Sequence, residues 1–127
     1  MPRSSKKWEK KVTAKARKKY GNGNVEEQVY IRPFDSNGKA ENYRVRVDNT
    51  IMQGGGAPRL IDAKASTTAG YTKNQRKGYP LIAANGGIIE SGPMTNTRIP
   101  PTTVERIDSV TICKDAEPIK SSLIFQD

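Results

Sequence analysis

Histidine is absent from this 127-residue sequence, and cysteine occurs once, as Cys113. Because imidazole is the usual general acid or base near neutral pH, its absence excludes Ser-His-Asp and Cys-His catalysis and every nuclease site built on histidine. One cysteine permits no internal disulfide, and without histidine it disfavours a structural zinc site. Cys113 lies in the alternating run "VTIC", which predicts a packed strand residue. Catalysis by this chain would therefore depend on carboxylates, lysines and a hard metal ion.

Long apolar runs are also missing. No stretch approaches the 18 or so apolar residues of a transmembrane helix, so we expect no membrane span in this domain. The basic N-terminus lacks the apolar segment of a secretory signal peptide. Hydrophobic residues make up 34% of the chain, enough for one modest core. We therefore interpret 1–127 as one domain: a basic N-terminal helix in 1–24, a core in 25–90, and a C-terminal strand and tail in 91–127.

Positive charge is what the chain has in excess. Lys and Arg number 22 against 13 Asp and Glu, a formal net charge of +9. Such a charge favours anionic partners, because phosphate contacts by Lys and Arg release counterions and supply most non-specific affinity for nucleic acid. A basic soluble domain without such a partner, or one that binds an acidic protein, has the same composition.

The first predicted element is a basic amphipathic helix. Residues 3–19 contain nine Lys or Arg and one acid, Glu9. An apolar stripe recurs every four residues, and a glycine pair follows it, so we expect the helix to end near Gly21. Glu9 lies at the edge of the stripe, where it either pairs with neighbouring lysines or points toward a site. Lys10 and Arg17 are candidate phosphate contacts, or simply part of a solvated face.

Three strands and a second helix follow. Residues 25–34 read as a strand with Val25, Val29 and Ile31 on one face. The runs 43–48 and 59–65 alternate and are joined by a glycine-rich turn, which predicts a hairpin.

"TKNQRKGYPLIAANGG" predicts a short helix with a capping box between Thr72 and Gln75 and a bend or break near Pro80. "GIIES" and "VERIDSVTIC" predict further strands. The order of elements predicts an α/β fold with a central mixed sheet flanked by helices.

The chemistry centres on two aspartates and a lysine. Residues two apart on a strand share a face, so Asp62 and Lys64 in "LIDAKA" point together. Asp48, at the end of "RVRVD", reaches that face if the hairpin pairs suitably. Two carboxylates suit Mg²⁺, which takes one or two and keeps waters or phosphates elsewhere. Such a metal neutralises phosphate charge and lowers the pKa of water, and a lysine stabilises the charge that develops.

Asp-x-Lys by itself is a weak pattern, since a surface ion pair on a strand edge gives the same sequence and contributes little energy. The order of the surrounding elements makes it more informative. A helical Glu is followed by a strand ending in Asp, a glycine-rich turn, an apolar strand with Asp-x-Lys, and a basic helix with Gln75.

This order resembles the PD-(D/E)xK, or restriction-endonuclease-like, nuclease superfamily. The run from "RVRVD" through "NQRKGYPLI" looks closest to the nuclease domains at the C-termini of bacterial polymorphic toxins, including contact-dependent inhibition and Rhs-type effectors. The resemblance covers about residues 6–90, and "DAKAS" followed by "NQRKGYP" is its most specific part.

The resemblance implies Mg²⁺- or Mn²⁺-dependent cleavage of DNA or RNA by a domain secreted or delivered from a larger bacterial effector. It would act in the cytoplasm of the target cell, and a cognate, acidic immunity protein would protect the producer. Position by position, Asp48 and Asp62 become metal ligands and Lys64 the catalytic lysine. Glu9 becomes the acid of the first helix and a third ligand, and Gln75 the helical glutamine lining the site.

The sequence departs from the family pattern in several places. Asp62 stands where Glu is commoner, which shortens the reach to a metal. Glu26 and Glu27 compete with Glu9 for the role of first acid, and Gln75 is equally well explained as a capping-box residue. On the same basic helix, side chains at three positions are predicted to contact the substrate backbone, or to form a solvated helix start: Lys73, Arg76 and Lys77.

Two function classes remain. An endonuclease explains the acids within a basic chain, whereas a non-catalytic nucleic-acid-binding module explains the charge alone. Of the substrates, DNA is favoured over tRNA, because RNA recognition often uses exposed aromatic side chains and aromatic residues are only 6% of this chain. Shape and phosphate contacts can also hold a tRNA, so that alternative stays open.

Overall fold

The computed structural model describes residues 2–52, 57–64 and 70–107. Two helices flank one six-stranded sheet whose strand order is β5-β4-β1-β2-β3-β6. The elements in chain order are α1 (Pro2–Tyr20), a 3₁₀ turn (Asn22–Asn24), β1 (Val25–Pro33), β2 (Val45–Ile51), β3 (Arg59–Ala63), α2 (Lys73–Asn85), β4 (Gly87–Ile89), β5 (Arg98–Ile99) and β6 (Val104–Ile107). The β3–β6 pair is parallel and the others are antiparallel. The predicted mixed α/β fold is confirmed.

Helix α1 forms where the four-residue apolar spacing predicted it. Val12 and Ala16 are fully buried in a cluster with residues of β1, β2, β3 and β6, and Trp8 and Tyr20 pack against that cluster. The Trp8 indole N–H donates to the Ile107 carbonyl at 3.0 Å, which ties the helix to the far edge of the sheet.

Helix α2 begins with the predicted capping box. The Gln75 main-chain N–H donates to Thr72 Oγ1, and the Thr72 N–H donates to Gln75 Oε1. The helix runs unbroken through Pro80, so the alternative of a break there is wrong. Proline removes only one main-chain donor, and Gly78 and Ile82 are buried on either side of it and hold the helix to the sheet.

Strands β1 and β2 exchange faces midway, which the alternation did not predict. Val25 packs in the α1 cluster, whereas Val29 and Ile31 pack in a second cluster with α2. The single face predicted for these three residues is therefore wrong. Gln28, between them, has a φ of 52°, and this left-handed residue interrupts the two-residue period.

The C-terminal strand is described only in part. β6 covers Val104–Ile107 of the predicted run, and the remainder, including Cys113, lies outside the described residues. Within the ranges given above, neither helix combines the length and apolarity needed to cross a bilayer.

Candidate active site

The β2–β3 hairpin brings the two predicted aspartates together. The strands pair antiparallel with Asn49 opposite Ile61, and one further step along this register sets Asp48 against Asp62. The carboxylate of Asp48 reaches across to β3 and accepts the Ala63 N–H through Oδ2 at 2.7 Å. The hairpin that the glycine-rich turn predicted is thus the element that assembles the site.

Asp62 is fully buried, with 0% of its surface exposed. Its Oδ1 accepts hydrogen bonds from Gln75 Nε2 at 3.3 Å and from the Tyr79 hydroxyl at 3.2 Å. Its Oδ2 has no hydrogen-bond partner, and Lys64 Nζ lies 3.4 Å from it. Within the described ranges only two other buried side-chain oxygens lack a partner, those of Asn49 and Thr50. Buried polar atoms are nearly always hydrogen-bonded, whereas Asp62 Oδ2 has the longer ion-pair contact with Lys64 in place of a hydrogen bond.

Asp48 is 4% exposed, and both of its oxygens have partners. Besides the Ala63 N–H, it accepts from the Arg46 guanidinium through Oδ1 at 2.9 Å. The same guanidinium nitrogen lies 3.6 Å from Glu9 Oε1. Glu9 of α1 is therefore brought to the site, as predicted, but through Arg46 rather than in direct partnership with Asp48.

Lys64 and Gln75 complete the predicted set. Lys64 follows β3 and donates from Nζ to Gln75 Oε1 at 3.1 Å. Gln75 is buried on the first turn of α2, and its Nε2 reaches both Asp62 and the Arg46 carbonyl. Gln75 closes the predicted capping box, and the same side chain contacts Asp62 and Lys64, so the two interpretations of Gln75 do not exclude each other.

Arg46 and Tyr79 are site residues that the sequence reasoning missed. The Tyr79 hydroxyl lies 3.0 Å from the Arg46 carbonyl and 3.2 Å from Asp62 Oδ1. Simple spacings signal both positions: Tyr79 follows Gln75 by four residues and shares its helix face, and Arg46 precedes Asp48 by two.

Burial dominates the electrostatics of the site. Burial raises the pKa of Asp62, and the charge of Asp48 adds to this, while Lys64 and the Tyr79 hydroxyl oppose it. Burial also raises the pKa of Asp48, which the Ala63 N–H and the Arg46 guanidinium lower and Glu9 raises. The pKa of Tyr79 is raised by burial and by the two aspartates, so its hydroxyl stays a donor. Burial therefore disfavours the charged form of both carboxylates, and a cation beside them favours it.

A hard divalent cation fits this chemistry in part. Carboxylate oxygens are the ligands that Mg²⁺ takes, and Asp62 Oδ2 offers one without a competing hydrogen bond. Across the described part of the chain, no three His, Cys, Asp or Glu side chains lie close enough together to hold a metal. A cation here would therefore take one or two protein carboxylates.

The predicted phosphate contacts fall on two surfaces. Lys10 and Arg17 line a groove of about 550 Å³ between α1 and β1, where Arg17 also pairs with Glu27 at 3.2 Å. On the opposite side of the sheet, three basic side chains are exposed on the first two turns of α2: Lys73, Arg76 and Lys77. The Lys77 ammonium lies over the Tyr43 ring.

Comparisons with known proteins add no identity, because no family model, no curated protein and no solved structure matches this chain.

Proposed function

We propose that this chain is a metal-dependent endonuclease that hydrolyses phosphodiester bonds. The observation that carries the proposal is the Asp62 carboxylate. It is fully buried, and one of its oxygens accepts no hydrogen bond and has an ion-pair contact with the Lys64 ammonium at 3.4 Å, in a chain of net charge +9. A buried carboxylate oxygen that accepts no hydrogen bond costs stability, and such costs are characteristic of functional sites.

The roles follow from the contacts. Asp62, with Asp48 beside it, would hold Mg²⁺ or Mn²⁺, and the metal when bound would supply charge neutralisation at the phosphate and acidification of water. Lys64 is held by Asp62 and Gln75, so its ammonium is placed to stabilise negative charge on the phosphate. Tyr79 and Gln75 fix the orientation of the Asp62 carboxylate by donating to Oδ1.

Arg46 donates to Asp48 Oδ1 and lies 3.6 Å from Glu9 Oε1. A cation at Asp48 Oδ1 would share this oxygen with the guanidinium or shift the guanidinium toward Glu9. Glu9 would then act on Arg46 and not on the metal, which is a narrower role than that of third ligand.

A biological role follows from the resemblance to polymorphic-toxin nucleases. In this proposal the domain is delivered into competing bacteria, acts on DNA or tRNA in their cytoplasm, and is neutralised by an acidic immunity protein. The positive charge supports binding to both macromolecules, since each is anionic.

The alternative is a non-catalytic nucleic-acid-binding module, and one observation favours it. Both buried aspartates already face a cation, Asp48 facing Arg46 at 2.9 Å and Asp62 facing Lys64 at 3.4 Å. Paired in this way, the acids would not repel a phosphate strongly even without a metal.

Cleavage assays separate the two. Plasmid DNA and total tRNA are each incubated with purified protein, with Mg²⁺, with Mn²⁺ and with EDTA. We expect metal-dependent cleavage by the wild type that Asp62→Ala and Lys64→Ala abolish. Lys39→Ala is the matched control for Lys64→Ala, because it removes the same charge from an exposed position outside the site. Binding without cleavage in either metal would refute the nuclease and leave the binding module.

A further inference from the structure

A groove beside the candidate active site is lined by aromatic and apolar side chains. It has a volume of about 330 Å³ and lies between the start of α2 and β6. Tyr71, Tyr79, Pro80 and Val104 form its apolar walls, and the exposed Arg76 lies at its rim. This volume lies within the range of small-ligand sites.

The groove borders the proposed metal site, and two side chains form the wall between them. Gln75 and Tyr79 line the groove, and the same two side chains donate to Asp62 Oδ1 at 3.3 and 3.2 Å. A molecule whose phosphate lies at Asp62 and Lys64 therefore has the groove immediately next to that phosphate.

Tyr71 is the feature that gives the groove its chemistry. It is 36% exposed, and it is the only large hydrophobic side chain of the described ranges that is exposed to this extent. Its ring packs edge-on against Tyr79, with centroids 5.6 Å apart and planes at 81°, so it is held in place although exposed. Lys64 Nζ and the Arg106 guanidinium each lie over the ring, 5.3 Å from its centroid, so a base that stacks on Tyr71 would take the place of a cation on the ring face.

An aromatic ring with cations near it offers contacts for the two parts of a nucleotide, its base and its phosphate. Any of the bases can stack on an aromatic ring, and the cations attract the phosphates on either side of the base. Bases inside a duplex have no free face, so only an unpaired or extruded nucleotide can use such a ring.

From these contacts we infer that the groove binds an unpaired nucleobase of single-stranded nucleic acid, stacked on Tyr71, next to the phosphate at Asp62 and Lys64. This inference rests on the proposed action on nucleic acid and names its substrate class. The low aromatic content of the chain does not exclude such a site, since a single well-placed ring suffices to stack one base.

Binding measured without cleavage tests the inference. Fluorescence anisotropy in EDTA compares a short labelled single strand, as DNA and as RNA, with an abasic strand of equal length and with the matching duplex. The abasic strand keeps the phosphates and lacks the bases. We expect the wild type to bind the normal single strand about five- to one-hundred-fold more tightly than the abasic one, the range for one base–aromatic stack.

Three variants locate the effect. Tyr71→Ala should abolish the preference for normal over abasic strands, whereas Tyr71→Phe should keep the preference because it keeps the ring. Tyr30→Ala is the matched control. Tyr30 is a residue of β1 whose ring contacts the Arg44 guanidinium, and it does not line the groove. Circular dichroism checks that each variant folds.

The outcomes separate this inference from the nuclease proposal. A preference for bases that Tyr71→Ala removes supports the groove even if plasmid and tRNA stay intact, in which case only the nuclease fails. Equal binding of normal and abasic strands by the wild type overturns the inference, even if the protein cuts DNA. A preference that survives in Tyr71→Ala overturns it as well.

Discussion

Removal of the Asp62 carboxylate should make the protein more stable and inactive. In Asp62→Ala each donor that contacts the carboxylate keeps another acceptor. Gln75 Nε2 and the Tyr79 hydroxyl both still reach the Arg46 carbonyl, at 3.3 and 3.0 Å. Lys64 Nζ still donates to Gln75 Oε1 at 3.1 Å. The substitution therefore leaves no donor without an acceptor, and the interaction it removes is the ion pair with Lys64, whose side chain is 14% exposed.

The magnitude follows from two opposing quantities. A buried polar group without a partner costs about 1–3 kcal/mol, and the raised pKa of Asp62 shows that burial outweighs the attraction of Lys64. The deleted carboxylate leaves a cavity of roughly 30 Å³, about one water molecule, which costs about 0.7 kcal/mol. The difference is a gain of about 0.5–2 kcal/mol, or about 2–8 °C in Tm for a chain of this length.

Thermal unfolding in EDTA across pH measures this gain. Because the folded pKa of Asp62 is raised, its contribution to stability is present below the unfolded pKa of about 3.9 and is lost as pH rises through the folded pKa. Asp62→Ala has no such loss. Its advantage over the wild type should therefore be absent near pH 3.5 and should grow toward pH 7.

Asp48→Ala is the matched comparison, because the same substitution at a second buried aspartate should have the opposite effect. The Ala63 N–H, which donates to Asp48 at 2.7 Å, would lose its acceptor in a buried position. The cost is about 1–3 kcal/mol, which lowers Tm by about 3–10 °C. If Asp62→Ala lowers Tm at pH 7 as much as Asp48→Ala does, the Asp62 carboxylate does not destabilise the folded protein and this reasoning is wrong.

Three other substitutions test how the site is held. Gly78→Ala should lower the free energy of unfolding by about 1–2 kcal/mol in urea titrations, because the new Cβ would overlap Val45 Cγ1 and this exceeds the gain in helix propensity. Thr72→Ala should cost about 1 kcal/mol in the same titration and reduce cleavage, because it removes the cap of α2 and half of the box that orients Gln75. Glu105→Gln should lower Tm by about 3–5 °C at low salt, because the two-point contact with Arg59 across the β3–β6 edge is lost.

Each of these has a control in the same chain. Gly23→Ala adds a Cβ with no atom within 4 Å, and Thr95→Ala removes a hydroxyl from an exposed turn. Glu90→Gln removes an acid whose nearest pair, with Arg32 at 3.4 Å, is exposed on both sides. A control that destabilises as much as its partner substitution would show that the contact named for that partner is not the cause.

The sequence predicted which helices and strands form the site better than it predicted on which side of the sheet their side chains lie. The capping box and the hairpin depend on neighbouring residues, so both were recognised and both are present. The face exchange at Gln28 was missed, because alternation assumes an unbroken extended backbone and one left-handed residue reverses every later side chain. Arg46 was missed as a site residue although it precedes Asp48 by two, and only its contact with Glu9 of α1 could not be found from spacing.

Composition by itself determined the kind of chemistry available. Without histidine and with one cysteine, acid–base catalysis would depend on carboxylates and lysine. The net charge of +9 favours an anionic partner. The two-residue step from Asp62 to Lys64 also follows from strand geometry alone, and the structure sets the two side chains 3.4 Å apart.

Only the tertiary structure decided what surrounds those side chains. The burial of Asp62, its oxygen without a hydrogen bond, the Arg46 bridge between Asp48 and Glu9, and the tyrosine groove each involve elements distant in sequence. Burial and pairing are properties of neighbours in space, and sequence spacing fixes such neighbours only within one helix, strand or hairpin. The residue types come from the sequence, and their protonation, partners and access to a substrate come from packing.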